Sequence, residues 1–556
     1  MDRFFKKLMI VFIVLVLLKI AIAFFVLSPS TFADDYHYMK MARSFFHDGS
    51  FTVDGRASYL YPPLYPIVIS ISYIFKNMEI IYFIFKIINA ILSSLIIFPA
   101  WLIAKEFFDK KKSFLIASLI GIMPPFFVFS SYILSENLFF PLFLFTIYFI
   151  YKSFNDNKIR WDVLAGIFLG LSYLTRILAL SLIPTIVIIL FIKLFRDKDY
   201  SQIKKKIILF LIAFIVVLPW LIRNLSIFGF SISGLFGYGE NITAVQNNFT
   251  PLQFFYWIII DVGYILLASG ILFFIGFLIN IKKQQDKKIN LLNAITILSS
   301  LFLIFIAATH SSSFPLTKEN IFNGRVLGRY LEGVLPLIII LGAVSIEKNI
   351  LQKTNKKILI LLMSILVVIT TTITFRSLLP INSSSLSYIG VFTIFLGLIT
   401  KHNVLILAII MFFIPFLIMK IHNYRLERIL KIYMVFFFLI TLFGSSIAIY
   451  NSYENWYLQD QTWMGKWMDK NVKEDSLIMF DRRNEDEDFR RGTDVFGKKD
   501  RSVLVMGYWM NKNTVSEYLN ETKVKPDYII STYELDYPII LKSENREQTI
   551  YVYDSG

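Results

Sequence analysis

Two adjacent carboxylates, Asp34 and Asp35, stand in the stretch TFADDYHYMKMARSFFHDG, residues 31 to 49, just after an apolar run from Leu8 to Leu27. A lone aspartate at a membrane edge most often anchors a helix end. Here anchoring would have to be repeated for Asp34, Asp35, Glu136, Arg176, Arg223 and Arg329, all of which the expected topology puts on one side of a membrane. Carboxylates beside arginines suit one task well: a base takes the proton from a hydroxyl while cations stabilise a departing phosphate. Phosphate is already a good leaving group, so the chemistry needs no general acid.

Such residues need elements to hold them, and the composition says which kind. Of 556 residues, 56% are hydrophobic and 17% aromatic, with 56 Phe, which excludes an ordinary soluble protein. The Phe abundance reads as lipid-facing and inter-helix packing. Apolar runs recur from Leu8 to Tyr450, many reaching the roughly 20 helical residues that cross a hydrocarbon core. The first run follows Lys6 and Lys7 as a secretory leader would. It is long, however, and is expected to remain as a span with its amino terminus inside. The net charge of +16 collects in the short loops KEFFDKKK, KLFRDKDYSQIKKK, NIKKQQDKK and EKNILQKTNKK. That is the positive-inside pattern, and no nucleic-acid partner is needed to explain it. With no cysteine, disulfides, thiolate metal sites and cysteine nucleophiles are excluded.

Placing the basic loops inside puts Asp34 and Asp35 in a first outer loop at 28–79. The stretch YLYPPLYPIVISISYIF is expected as a helix over 60–75 at the outer interface, started by Pro62 and Pro63. Spans at Ile80–Ala104, Phe114–Leu134 and Leu138–Tyr151 leave Glu136 at the outer surface. Residues 163–195 fit two short spans meeting outside near Arg176, and PWLIRN and NGRVLGRYLEG bring Arg223, Arg325 and Arg329 to the same side. Apolar runs follow at 358–375, 386–400, 403–419 and 431–450. The basic KIHNYRLERILK between the last two belongs inside, which requires one of these runs not to cross. After Tyr450 the composition turns polar, with strand-like SLIMF, SVLVMGYW, DYIIST and QTIYVY and helix-like QTWMGKWMDKNV and NTVSEYLNE. The expected architecture is a polytopic α-helical membrane domain over 1–450, with roughly 13 transmembrane helices, and a small soluble α/β domain over 451–556 on the extracytoplasmic side. N-x-S/T triplets begin at Asn224, Asn241, Asn248, Asn382 and Asn520, the first four in loops assigned outside.

Six stretches carry a family resemblance: ADDYHYMKMARSFFHDG, YPPLYP, SENLFFPLFLF, GIFLGLSYLTR, LPWLIRNLSIFG and GRYLEGVLP, in order over residues 1–345. Together they resemble the GT-C superfamily of integral-membrane glycosyltransferases, in the group of protein O-mannosyltransferases and the lipid A aminoarabinose transferase. The resemblance implies an inverting transfer of a sugar from a polyprenyl (dolichyl-type) phosphate to a hydroxyl at the outer face of the cell membrane. The acceptor is left open among protein, lipid and glycan, and the donor between hexose and pentose. Asp34 then resembles the catalytic base, Asp35 stands where the family often has Glu, and Glu136 resembles the second-loop carboxylate. Some relatives have Lys before the double proline, where this chain has Tyr61, so phosphate recognition is expected from Arg176, Arg223 or Arg329. The tryptophan-rich signature of oligosaccharyltransferases is absent.

No metal ligands are expected, since the histidines are dispersed, and only His37 lies near Asp34. The chemistry requires no cofactor, and a divalent metal stays open. Membrane lipids are the other expected partners. Two other classes compete: a transporter or flippase of lipid-linked or small polar substrates, and a noncatalytic scaffold bearing an external module. The chain shows no internal repeat of the kind many transporters have, and a scaffold is insensitive to Asp34→Asn.

Overall fold

The computed structural model describes residues 3–29, 32–58, 61–198, 200–231, 250–283, 286–312, 326–351, 357–374, 403–481, 501–519, 525–544 and 549–556. Arg325, the run at 386–400 and Asn241, Asn248, Asn382 and Asn520 lie outside these. The chain forms two compact units. A helical unit comprises Met1–Lys19, Ala90–Ser130 and Ser135–Ile447, and a mixed unit comprises Ile20–Asn89, Ser131–Leu134 and Ala448–Gly556. The first outer loop expected at 28–79 and the polar module expected at 451–556 thus belong to one unit.

Among the described residues ten helices are long and apolar enough to cross a membrane, or eleven if the bent pair Lys110–Gly121 and Pro124–Ser131, 61° apart, is one span. The apolar helices Ile271–Ile281 and Lys357–Thr372 are shorter than a bilayer's thickness, and the run at 386–400 lies outside the described residues. Pro124 and Pro125 open the second half of the bent pair, and prolines fit the first helical turn but break a helix interior.

Within the helical unit, ion pairs sort the loops to one end. Lys111 meets Glu427 at 2.7 Å, Lys112 meets Glu347 at 2.8 Å and Lys152 meets Glu106 at 3.3 Å. The exposed Lys111–Glu427 pair contributes little stability, but the three pairs together fix which loops are neighbours. The turn inside KIHNYRLERILK therefore lies at the same end as KEFFDKKK. The Glu136–Asp156 helix runs away from this end; over its 21 residues, a rise of about 1.5 Å per residue carries Glu136 about 30 Å from Asp156.

The Ile159–Thr175 and Ser201–Phe228 helices approach closely along Gly166 and Gly170. A Cβ on Gly166 would meet the Leu209 carbonyl at 2.5 Å, and one on Gly170 would meet Val216 at 2.7 Å, a small-xxx-small seam suited to apolar surroundings. At the loop end of this pair Lys206 and Asp162, 1% and 0% exposed, are 2.6 Å apart.

In the mixed unit the helices Phe32–Asp48 and Leu64–Ser70 follow the first span, the latter continued by a 3₁₀ turn at Ile71–Ile74. Pro63 precedes it, as the double proline predicts. Between them Thr52–Val53 (β1) and Arg56–Ala57 (β2) form a hairpin. Asp54 and Gly55 at its tip both have positive φ, 47° and 78°, the two-residue turn that matches the strand twist.

The polar module holds Leu477–Asp481 (β3), Asn513–Glu517 (β4), Tyr528–Ser531 (β5), Ile539–Glu544 (β6) and Thr549–Asp554 (β7) in the order β4-β3-β5-β7-β6. β3 is parallel to β4 and β5, and β7 is antiparallel to β5 and β6. Two expectations are exchanged. SVLVMGYW supplies the helix Arg501–Tyr508, and the start of NTVSEYLNE supplies β4. Parallel neighbours need a crossover, so the apolar segment between β3 and β4 becomes the crossover helix. Its Val505 and Met506 and the strands' Ile478, Ile530 and Val552 are fully or almost fully buried.

Candidate active site

The Phe32–Asp48 helix presents the two carboxylates differently, because neighbours on a helix are rotated by about 100°. Asp34 is half-buried and its Oδ1 accepts a hydrogen bond of 2.9 Å from the Tyr61 hydroxyl. The His37 ring lies 5.2 Å from the Tyr61 ring, and Tyr38 packs edge-on against Tyr61 at 4.9 Å. Asp34, His37 and Tyr61 therefore form one group. Asp35 is fully buried and interacts electrostatically with Tyr82 and Tyr508. Burial beside other acidic groups holds the Tyr508 hydroxyl protonated, well above its ordinary range.

The opposite side of the same helix grips the polar module. The Tyr36 hydroxyl donates to both Asp54 carboxylate oxygens at 2.8 Å, and the Thr514 hydroxyl donates to Asp54 Oδ1 at 2.6 Å. Lys40 donates to Thr514 at 3.0 Å, and Arg43 donates to Asn511 at 2.9 Å and Asn513 at 3.1 Å. Burial lowers the Lys40 ammonium to about 8, with Asp54 opposing the shift. Asp54 was not singled out from the sequence, although the Asp-Gly pair between short alternating segments marks a hairpin.

The helical unit carries its own charged cluster. Glu136 opens its helix with the side chain wholly buried, not at the outer surface as its place between spans suggested. Its carboxylate pairs with Arg176 and lies 3.5 Å from Arg329 Nε. Arg176 occupies the extended residue between the Ile159–Thr175 helix and the 3₁₀ turn Ile177–Ser181, the break expected from the two short spans. Tyr330 lies against both guanidiniums, its ring centre 5.4 Å from Arg176 and 6.0 Å from Arg329. Glu332, three residues after Arg329, is buried and accepts from the Tyr264 hydroxyl at 2.5 Å. A carboxylate in the apolar run GRYLEGVLPLIIIL was the available signal for it.

Arg223 is not part of this cluster. It lies within the Ser201–Phe228 helix, stacked at 4.7 Å on Trp220 and donating to Asn224 at 2.9 Å. Asn224 is correspondingly buried inside a helix instead of lying in a loop. Among the described residues no group of three His, Cys, Asp or Glu side chains is close enough to hold a metal ion.

The family described as dolichyl-phosphate-mannose-protein mannosyltransferase matches residues 61–222. No curated protein matches the chain. The crystal structure of ArnT from Cupriavidus metallidurans bound to undecaprenyl phosphate is similar with a TM-score of 0.61 at 10% identity, covering 98% of this chain and 97% of that one. Its apo state gives a TM-score of 0.54 at 9% identity, with 97% of each chain covered. The cryo-EM structure of the arabinosyltransferase EmbB from Mycobacterium smegmatis is more distant, with a TM-score of 0.43 at 14% identity over 80% of this chain and 41% of that one. Over residues 61–222 the chain is thus similar to the mannosyltransferase family, and along nearly its whole length it shares the fold of the ArnT structures.

Proposed function

We propose that the protein is an inverting glycosyltransferase that moves one sugar from a polyprenyl phosphate to an acceptor hydroxyl at the extracytoplasmic face of the cell membrane. The observation that carries the reading is the convergence of Arg176 and Arg329 on the single buried carboxylate of Glu136. Guanidiniums gathered at a buried position suit the phosphate of a lipid carrier, which they bind through charge-assisted, bidentate hydrogen bonds. The undecaprenyl phosphate named for ArnT and the dolichyl phosphate named for the matching family support that donor class. In the proposed step the acceptor oxygen attacks the anomeric carbon and the bond from that carbon to the phosphate oxygen breaks. The bonding electrons leave with the phosphate, and the hydroxyl proton passes to Asp34. Tyr61 orients Asp34 by donating to it, and Asp35 tunes the helix from its buried position.

The test uses the purified chain in liposomes with a panel of polyprenyl-phosphate-linked hexoses and pentoses. Asp34→Asn keeps the side chain's size but removes its basicity, and turnover is expected to fall by about 10² to 10⁴. Asp35→Asn is expected to cost less. Near-normal turnover in Asp34→Asn removes this residue from the mechanism, and retention of anomeric configuration in the product overturns the inverting step.

A further inference from the structure

In the mixed unit, the Phe32–Asp48 helix, the β1–β2 hairpin and the edge strand β4 enclose a cleft of about 210 Å³. Lys40, Arg43 and Lys512 line it together with hydroxyls of Ser44 and Thr514. Lys40 and Lys512 are only 4% and 5% exposed. Burying an ammonium is costly unless an opposite charge or several hydrogen bonds compensate it.

The compensation is uneven. Lys40 has the Thr514 hydroxyl and the nearby Asp54. Arg43 spends two donors on the side-chain oxygens of Asn511 and Asn513, both neutral. Lys512 makes no hydrogen bond or ion pair among the described residues. Asp469 and Glu474 act on it only at longer range. Asp469 is already engaged by the backbone N–H groups of Met78, at 3.1 Å, and Asn511, at 2.8 Å. Of the two carboxylates lining the cleft, Asp54 is occupied by Tyr36 and Thr514, and Asp48 is exposed. Three cations thus face a polar space whose internal acid is already used.

We infer that this cleft is an oxyanion-binding site, distinct from the Asp34 face, that takes a phosphate or carboxylate group between Lys512, Lys40 and Arg43. Lys40 and Arg43 follow Asp34 by six and nine residues on one helix, about 9 and 14 Å along its axis and turned toward its other side. A ligand here touches none of the groups assigned to sugar transfer, so the inference does not depend on that assignment. The anion is either free in solution or the acid group of an acidic glycan.

The full-length protein in neutral detergent is titrated with inorganic phosphate at constant ionic strength, and separately with galacturonate and its oligomers. Saturable binding is expected, with Kd raised at least tenfold in Lys512→Gln and restored in Lys512→Arg. Because Lys512 is buried, Asn513→Asp provides a second variant at an exposed position, placing a carboxylate beside Arg43, and it is also expected to weaken binding. Phosphate binding without oligomer binding identifies a free anion. Oligomers binding more tightly than the monomer identify an acidic glycan. Equal affinity in wild type, Lys512→Gln and Asn513→Asp, or no saturable binding of either probe, overturns the site.

Discussion

Glu136→Gln removes the charge that two arginines share while keeping the shape of the side chain. The carboxylate is 0% exposed and the two arginine side chains are 11% and 10% exposed, so water does little to replace it. At an effective dielectric constant of about 20, unit charges at the 3.5 Å separation of Glu136 and Arg329 attract by about 5 kcal/mol, and Arg176 is closer still. Deleting one partner of a buried pair typically costs about 3–5 kcal/mol, and here it also leaves two guanidiniums facing one another. The variant is therefore expected to unfold at markedly lower temperature in a neutral detergent. Polyprenyl phosphate is expected to recover more stability in the variant than in the wild type, because its phosphate then supplies the missing negative charge. Thermal unfolding with and without polyprenyl phosphate, paired with direct binding of the lipid, reads both effects. A variant as stable as the wild type would show that the carboxylate does not hold the arginines. A destabilised variant with no extra response to the lipid would remove this cluster from phosphate recognition.

Three further outcomes are expected. Tyr61→Phe deletes one hydrogen bond to Asp34, a contact to a charged group worth about 1.5–3 kcal/mol; turnover should fall about tenfold or more with donor KM little changed, whereas a rise in donor KM alone would assign Tyr61 to phosphate binding. Gly170→Leu forces side-chain atoms into Val216, already 2.7 Å from a bare Cβ, so it should reduce folded yield, and normal yield and activity would show that the seam can open freely. Lys40 is lowered to about 8 from 10.5 by burial, with Asp54 and Asp469 opposing the shift and Arg43 adding to it. The unfolded chain therefore binds more protons between these values, and Lys40 costs stability below pH 8 that is relieved as pH rises toward 10.5. In phosphate-free buffer Lys40→Met should be more stable than wild type at pH 7, by at most about 3 kcal/mol, with the advantage shrinking above pH 8; a pH-independent difference would contradict the burial cost.

The residues that announce themselves in the sequence are those whose chemistry conflicts with their surroundings. Asp34, Glu136 and Arg329 stand out because charge beside apolar runs is costly, and the break at Arg176 because two runs flanking it are each too short to merge. What stays hidden depends on partners far along the chain. SVLVMGYW has strand-forming residues, yet it is helical because β3 and β4 are parallel and need a crossover. Asn224 reads as a loop sequon but lies one position beyond Arg223 on the buried side of a helix. Asp54 looks like a turn residue, and its role rests on Thr514, 460 positions later.

That last separation sets the order of events during synthesis. The contacts that seat the Asp34 helix, such as Lys40 with Thr514, join residues 474 positions apart. At about 5–20 residues per second a ribosome needs roughly 24–95 s to cover that distance. Throughout this interval the amino-terminal helix and its hairpin are already made while the strand they grip does not yet exist. A nascent chain stalled or cleaved before Asn513 would therefore hold its apolar helices and lack a seated base. The arrangement acts as a check on chain extension, since the helix bearing Asp34 gains these contacts only once synthesis has passed Thr514.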